Sequence, residues 1–110
     1  MLAGLGIDVV EIERIRDSLN RFGDTFVKRI LTPRENEEMQ RLKRGRAAFL
    51  AARWAVKEAA VKALGTGFSK GIGFHDVEVE TLPSGEPRLV LNNEAKIQAG
   101  HRGATRMMVS

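Results

Sequence analysis

The sequence predicts an α+β fold in which a long buried helix packs on a small, mostly antiparallel sheet. Most positions from Ala47 to Leu64 are apolar, which is typical of a helix that is buried almost all round. The segment "HDVEVETL" alternates apolar and polar residues, and "PSGEP" and "RLVL" follow it as a turn and a return strand. With 110 residues and no internal repeat or linker, the chain is predicted to be one domain over residues 1–110.

The first third of the chain predicts a strand followed by two helices. "LAGLGIDVV" is a short apolar run that predicts a buried strand ending near Val10. A helix should follow, because one apolar face recurs at helical spacing: Ile12, Ile15, Leu19 and Phe22. "FGD" then ends this helix, with Gly23 as its C-cap and Asp24 as the N-cap of a short helix over 25–30.

The middle of the chain predicts two more helices with clear ends. "TPRE" is a strong helix start, since Thr32 is a capping residue, Pro33 suits the first helical position and Glu35 completes a capping box. That helix should run to about residue 42, where "KRGR" breaks the pattern. The long apolar helix then occupies 46–64 and is closed by Gly65.

The last third of the chain contains a glycine-rich loop, the hairpin and a final helix. "GTGFSKGIGF" is a loop by composition. Beyond the hairpin, "NNEAKIQAG" predicts a short capped helix that Gly100 follows. "ATRMMVS" then begins another predicted strand.

Basic charge is concentrated in one segment. The net charge is +4, and residues 14–46 carry ten basic side chains against five acidic ones. Such a segment on a small domain predicts an anionic partner, which could be nucleic acid, an acidic protein or a phosphorylated ligand. The absence of cysteine excludes disulfides and thiolate metal sites and fits a reducing cytoplasm. No apolar stretch is long enough for a membrane span, so we expect a cytoplasmic protein without a membrane partner.

Two carboxylates interrupt otherwise apolar segments. Asp8 lies in the predicted N-terminal strand and Glu58 in the middle of the long helix. One interpretation is structural: Asp8 caps the helix after it, and Glu58 pairs with Lys62 one turn later, a pair worth about 0.3–0.5 kcal/mol if exposed. The other is that both carboxylates hold Mg²⁺, which takes one or two carboxylates and completes its shell with water and substrate phosphates.

The surroundings of Glu58 favour phosphate chemistry. Lys62 lies about 40° around the helix from Glu58, so its ammonium group points to the same region. The loop that follows should offer backbone N–H groups to an anion, together with polar side chains: Thr66, Ser69 and Lys70. These groups together predict a phosphoryl-transfer site. The loop fails the Walker and dinucleotide-binding patterns, because a helix and not a strand precedes it.

Three segments are specific in combination for one family. "GIDVVEIERI", "RWAVKEAAVKALGTG" and "GIGFHDVEV" resemble the holo-acyl-carrier-protein synthases, the small type of 4′-phosphopantetheinyl transferase, over essentially the whole chain. The resemblance implies transfer of 4′-phosphopantetheine from coenzyme A to a serine of apo acyl carrier protein, with release of adenosine 3′,5′-bisphosphate. It also implies a 4′-phosphopantetheinyl transferase-like α+β fold that assembles as a homotrimer, with each active site between two subunits.

The resemblance assigns roles to particular residues. Asp8 and Glu58 would hold Mg²⁺ against the coenzyme A pyrophosphate, and Lys62 would neutralise charge on the phosphate under attack. The serine hydroxyl would be deprotonated by Glu58 or by a metal-held water. The coenzyme A contacts that the resemblance implies are spread along the chain: Arg53, Lys62, Gly65, Thr66, Ser69, Gly85 and Pro87.

The resemblance also gives the basic segment a partner. Acyl carrier proteins are strongly acidic, and Arg14 and Arg21 are seven residues apart, so they share one helix face. That face resembles the family's carrier-protein docking surface, for which Arg16 and Arg29 are weaker candidates. Family members continue past the equivalent of Ser110 with a segment that includes a final strand, and this strand is expected to be missing here.

A second interpretation is a basic nucleic-acid-binding α+β module without enzymatic activity. Composition permits it, but aromatic residues make up only 5% of the chain, tyrosine is absent, and no groove-reading motif occurs. It also leaves Asp8 and Glu58 unexplained, since carboxylates repel phosphates unless a metal intervenes. The sequence therefore favours a Mg²⁺-dependent transferase that has no nucleic-acid partner.

Overall fold

The structure is a computed structural model that describes residues 9–69 and 71–101 of the chain. Within these residues the chain forms five α-helices, one 3₁₀ turn (Phe74–Asp76) and a two-stranded sheet. The helices and strands follow one another as α1 (Val9–Phe22), α2 (Asp24–Ile30), α3 (Pro33–Gln40), α4 (Arg46–Ala63), β1 (Val77–Thr81), β2 (Pro87–Leu91) and α5 (Asn93–His101). The predicted α+β class is therefore confirmed.

The sheet is the hairpin that the sequence predicts. β1 pairs with β2 in antiparallel orientation, and Thr81 lies opposite Pro87 at the turn. Alternate residues of β1 point to the interior, so that Val77 and Val79 are buried. The turn requires a glycine at Gly85, because its φ of 91° lies in the left-handed region that other residues rarely adopt.

Helix α3 begins as the sequence predicts. Thr32 Oγ1 accepts a hydrogen bond from Glu35 N at 3.3 Å, and the Glu35 carboxylate accepts one from Thr32 N at 2.8 Å. With Pro33 in the first turn, this is the predicted capping box, which satisfies two N–H groups at the helix start. Thr32 Oγ1 also donates to the carboxylate of Glu78, so the start of α3 is attached to β1. The helix ends at Gln40, close to the predicted end.

Helix α4 passes through two hydrophobic clusters. Its first half packs with α1, α2 and α3 in a cluster of buried residues: Ile15, Val27, Ile30, Leu31, Met39, Leu50 and Ala51. Its second half packs with the hairpin and α5 in another: Ala60, Val61, Leu64, Ile72, Val77, Ala95 and Ala99. Lys57 lies on α4 between the residues that belong to the first cluster and those that belong to the second.

The prediction that α4 is buried almost all round is wrong for the single chain. Ala48, Ala59, Lys62 and Ala63 are exposed, on the side of α4 that faces away from both clusters. Alanine counts as apolar in a sequence pattern, but it buries little area, so an alanine-rich face can remain in solvent. In the described part of the chain, no helix has the length and apolarity needed to cross a membrane.

The N-terminal prediction differs from the structure at two places. The predicted strand lies outside the described residues except for its last two, Val9 and Val10, which already belong to α1. Helix α1 therefore begins at Val9, before the predicted end of the strand near Val10. Phe22, predicted on the buried face of α1, is 57% exposed, because the helix ends there and the chain turns away at Gly23.

Two further element ends were wrong in the prediction. Asp24 is the first residue of α2 and not its cap. Gly23 occupies the cap position with a φ of 55°, so the helix start has no side-chain cap. Helix α5 does not stop before Gly100 but continues to His101. The strand predicted from "ATRMMVS" lies outside the described residues.

Candidate active site

Glu58 and Lys62 lie one turn apart on α4. Glu58 is half-buried and Lys62 is exposed. Among the described residues, neither side chain makes an ion pair or a hydrogen bond. The structural interpretation, in which Glu58 pairs with Lys62, is therefore wrong. A half-buried carboxylate and a neighbouring ammonium group both remain available to a ligand.

Of the two predicted Mg²⁺ ligands, the structure describes Glu58. Mg²⁺ prefers hard oxygen donors, needs only one or two carboxylates, and completes its shell with water and phosphate oxygens. Glu58 supplies one such carboxylate. Asp8, the second predicted ligand, lies outside the described residues; in the sequence it directly precedes α1, which packs along α4. No group of three or more potential metal-binding side chains occurs within residues 9–69 and 71–101.

The glycine-rich loop uses its first N–H groups to close the end of α4. Gly65 N donates to Lys62 O at 2.9 Å, and both Thr66 N and Gly67 N donate to Val61 O, at 3.3 and 3.1 Å. These bonds satisfy carbonyl groups that the last turn of a helix leaves without partners. The prediction that this part of the loop offers free N–H groups to an anion was therefore wrong.

The second part of the loop does present donors. The N–H groups of Phe68 and Ser69 have no acceptor among the described residues. The hydroxyl of Ser69 donates to Thr66 O, and that of Thr66 donates to Gly67 O at 2.8 Å, so both hydroxyl protons are used within the loop. Lys70 lies outside the described residues. An anion that approaches the loop therefore meets the backbone of Phe68 and Ser69.

Arg53 lies on another side of α4, against α3 and β1. Its Nη2 donates to the Glu38 carboxylate at 3.1 Å and to Thr81 Oγ1 at 3.5 Å. The guanidinium carbon lies 4.5 Å from the centre of the Phe49 ring, in a cation–π contact. Its Nε is buried and has no hydrogen-bond partner in the described part of the chain. Arg53 is thus held in place while part of its hydrogen-bonding capacity is unused.

Gly85 and Pro87 lie on the side of Arg53 and not on that of Glu58. Thr81, which Arg53 contacts, pairs with Pro87, and Gly85 is in the turn between the two strands. Arg53 and Glu58 are five residues apart on α4, which corresponds to a rotation of about 140°. The predicted site residues that the structure describes therefore form two groups: the loop group (Glu58, Lys62, Gly65, Thr66 and Ser69) and the hairpin group (Arg53, Gly85 and Pro87).

Comparison with known proteins identifies the family. A family profile described as the 4′-phosphopantetheinyl transferase superfamily matches residues 4–105. The chain belongs to this superfamily. Among curated members, holo-[acyl-carrier-protein] synthase of Nitratidesulfovibrio vulgaris strain DP4 is 54% identical over 110 residues, and the match covers 100% of this chain and 87% of that protein.

Solved structures of synthases in the superfamily are similar to this chain. The holo-[acyl-carrier-protein] synthase of Neisseria meningitidis matches with a TM-score of 0.82 and 32% identity, over 100% of this chain and 87% of that one. A holo-(acyl-carrier-protein) synthase of Bacillus anthracis, in complex with CoA (3′,5′-ADP), matches with a TM-score of 0.66 and 42% identity, over 86% of this chain and 79% of that one. The resemblance read from the three sequence segments is thus confirmed.

One basic side chain of α1, that of Arg14, lies beside an apolar groove. Two adjoining hollows of about 190 and 220 Å³ share Phe26 in their linings. Arg14 and Trp54 line the first hollow, and Arg29 lines the second. Arg21 is exposed on the same helix. Arg14, on the basic face predicted from the sequence, therefore borders apolar surface, which the charge pattern alone did not indicate.

Two of the arginines on α1 have acidic neighbours. Arg16 Nη1 lies 2.6 Å from the Glu13 carboxylate, whereas Arg14 Nη1 lies 3.5 Å from that of Glu11. Arg21 instead places its guanidinium carbon 5.5 Å from the centre of the Phe22 ring. These contacts are exposed and contribute little to stability, so Arg14 and Arg21 can exchange them for contacts with an acidic partner.

Sequence reasoning missed the most deeply buried pair of charges in the described residues. Lys57 is 0% exposed and Glu35 is 1% exposed, and Lys57 Nζ lies 2.6 Å from Glu35 Oε1. Lys57 Nζ also donates to Ile30 O at 2.8 Å and to Phe74 O at 3.0 Å, so that all its protons are used. Burial lowers the pKa of Lys57, and the Glu35 carboxylate opposes this fall.

The sequence did contain a signal for this buried lysine. Lys57 lies three, four and seven residues from buried apolar positions of α4 and its C-cap: Leu50, Ala60, Val61 and Leu64. Glu58 is displaced by about 100° from that face. Helical phase therefore distinguishes the two adjacent charged residues, and it assigns Lys57, not Glu58, to the interior.

Proposed function

We propose that the chain transfers 4′-phosphopantetheine from coenzyme A to a serine hydroxyl of apo acyl carrier protein. The observation that carries this proposal is the half-buried Glu58 carboxylate without a partner among the described residues, followed by Lys62 and the glycine loop. Similarity to holo-[acyl-carrier-protein] synthases over the whole chain supports it. The absence of cysteine fits a reducing cytoplasm, where we expect the reaction to take place.

The reaction is a displacement at phosphorus. The serine oxygen forms a bond to the phosphorus that carries the pantetheine arm, and the bond from that phosphorus to the bridging pyrophosphate oxygen breaks. Adenosine 3′,5′-bisphosphate leaves with the bridging oxygen. The serine proton has to be accepted during the attack, by the Glu58 carboxylate or by a water molecule beside it.

The remaining groups of the site stabilise negative charge. We propose that Asp8 and Glu58 hold Mg²⁺, which when bound supplies positive charge to the pyrophosphate. Lys62 offsets the negative charge that develops on the phosphate under attack. Because its ammonium group has no ion pair within the described residues, it can turn to the phosphate without breaking one.

We also propose that a complete site forms between two copies of the chain, in a homotrimer. The loop group and the hairpin group lie about 140° apart around α4, so they face different directions from one helix. Coenzyme A is long enough to contact a phosphate-binding group at its centre and a second group at its nucleotide end. A hairpin group from a neighbouring copy would complete the loop group of the first.

The carrier protein is proposed to bind along α1. Arg14 and Arg21 supply positive charge, and the groove lined by Phe26 and Trp54 supplies apolar surface beside it. An acidic protein that presents an apolar side chain among carboxylates would satisfy both features. The charges would mainly speed encounter, and the apolar contact would hold the complex.

Mass spectrometry tests the proposed function. With apo acyl carrier protein, coenzyme A and Mg²⁺, the wild-type chain should add the mass of one phosphopantetheine arm to the carrier protein. Glu58→Gln should not, whereas Glu37→Gln, at an exposed carboxylate on α3, should behave as wild type. An unmodified carrier protein with the wild-type chain would contradict the proposal. Thermal unfolding with an oligonucleotide in place of coenzyme A tests the nucleic-acid alternative, since a ligand of the folded chain raises its Tm.

A further inference from the structure

Phe68 extends from the glycine loop and lies against Phe74. The two ring centres are 4.1 Å apart, and the planes are inclined by 33°. Phe68 is 38% exposed and is one of three large apolar side chains that are exposed within the described residues. An aromatic pair of this kind is favourable beyond the area that it buries. The contact therefore attaches the loop to the 3₁₀ turn that precedes β1.

Phe74 belongs to a well-fixed part of the molecule. Its carbonyl oxygen accepts a hydrogen bond from the buried Lys57 at 3.0 Å, and its side chain packs against the first hydrophobic cluster. On the preceding side, Gly73 N donates to the Asp76 carboxylate at 2.9 Å. The Phe68 ring therefore rests on a rigid support that the Lys57–Glu35 pair helps to hold.

We infer that Phe68 is a positioning residue for coenzyme A, because its contact with Phe74 sets the backbone that presents the free N–H groups of Phe68 and Ser69. The inference rests on the proposed function, in which the loop group binds the pyrophosphate. The loop is fixed at its start by hydrogen bonds to Val61 O, and at its end by the buried Ile72, whose N–H donates to Ser69 O at 3.1 Å. Between these points, the aromatic contact aligns Phe68 and Ser69.

Removal of the Phe68 ring should weaken coenzyme A binding without changing the chemical step. Phe68→Ala should raise the KM for coenzyme A about three- to tenfold, while kcat and the KM for carrier protein stay within about twofold of wild type. Phe68→Tyr retains the ring and should restore the KM. Ile97→Ala, at an exposed apolar residue of α5 outside both groups, is the matched control and should leave all three constants unchanged.

A double-mutant cycle shows whether the effect passes through the aromatic pair. Phe74→Leu should raise the same KM, and Phe68→Ala combined with Phe74→Leu should add little further, since both remove one contact. If the wild-type chain is active, the inference would be overturned by an unchanged KM for coenzyme A in Phe68→Ala. Fully additive effects of the two substitutions on this KM would also overturn it. An inactive wild-type chain would instead reject the proposed function.

Discussion

Lys57 Nζ and Glu35 Oε1 lie 2.6 Å apart, with both side chains fully buried. The Glu35 carboxylate also closes the capping box of α3 and accepts a hydrogen bond from Val79 N at 2.7 Å. One ion pair thus connects α3, α4 and β1. Because Glu58 follows Lys57 in the chain, the inward direction of Lys57 also fixes the rotation of α4 that directs Glu58 away from the interior.

Removing the buried ammonium group should destabilise the fold strongly. Lys57→Met leaves the Glu35 carboxylate buried without its cation, and we expect a loss of about 3–5 kcal/mol in the free energy of unfolding. Equilibrium denaturation in urea measures it. Lys62→Met, at the exposed lysine one turn away, is the control and should change this free energy by less than about 0.5 kcal/mol. Equal stability of the two variants would refute the assignment of Lys57 as the structural lysine.

A compensating change should recover part of the loss. Glu35→Leu in the Lys57→Met background removes the uncompensated carboxylate and replaces the pair with apolar side chains. The double variant should therefore be more stable than Lys57→Met alone, as measured in the same urea titrations. Recovery will be incomplete, because Thr32 N and Val79 N lose their acceptor.

Glu58 should be needed for transfer but not for folding. Glu58→Gln keeps the size of the side chain and removes its charge, so we expect kcat to fall by at least about 100-fold. The Tm should stay near that of the wild type, because Glu58 has no partner among the described residues. Asp8→Asn should also abolish transfer, and chelation of Mg²⁺ should do the same to the wild-type chain. Near-normal turnover by Glu58→Gln would remove the basis of the mechanism.

Mixing two inactive variants should restore activity if sites form between copies. Glu58→Gln lacks the loop group and Arg53→Ala lacks the hairpin group, so a neighbouring pair of the two still contains one intact site. In a closed ring of three formed by random mixing, about a quarter of the sites combine an intact loop group with an intact hairpin group, so activity should reach up to about a quarter of that of the wild type. Activity is measured at a coenzyme A concentration at which Arg53→Ala alone is inactive.

The control for this mixture is a pair of variants within one group. Glu58→Gln and Lys62→Met both damage the loop group, so no arrangement of these two copies yields an intact site. This mixture should stay inactive. If the first mixture is as inactive as the second, the two groups do not combine across copies, and the proposed assembly is wrong.

Charge reversal on α1 should weaken recognition of the carrier protein. Arg14→Glu together with Arg21→Glu places acidic groups opposite an acidic partner, so the KM for carrier protein should rise while the KM for coenzyme A is unchanged. Added salt should weaken the wild-type interaction in the same direction. Lys96→Glu, at an exposed lysine of α5, is the charge-matched control. A KM for carrier protein that is unaltered in the double variant would exclude α1 as the docking helix.

Much of the local structure could be predicted because it depends on neighbours in the chain. The capping box of Thr32 and Glu35 joins residues three apart, and the turn at Gly85 depends on a φ that glycine adopts easily. The burial of α4 could not be predicted in the same way. Alanine is compatible with both an exposed and a buried helix face, so the apolar pattern does not show which side of α4 is buried. That depends on how the other elements pack against it.

The amino-acid sequence was enough to predict the α+β class, the start of α3, the hairpin and the membership of the superfamily, since these follow from short-range rules and from motifs in combination. The folded structure was needed to show that Lys57 pairs with Glu35, that Arg53 is bound to Glu38 and Thr81, and that Phe68 rests on Phe74. These contacts join different elements of the fold, several of them distant in sequence. Their energies therefore depend on burial and on relative orientation, which no local pattern encodes.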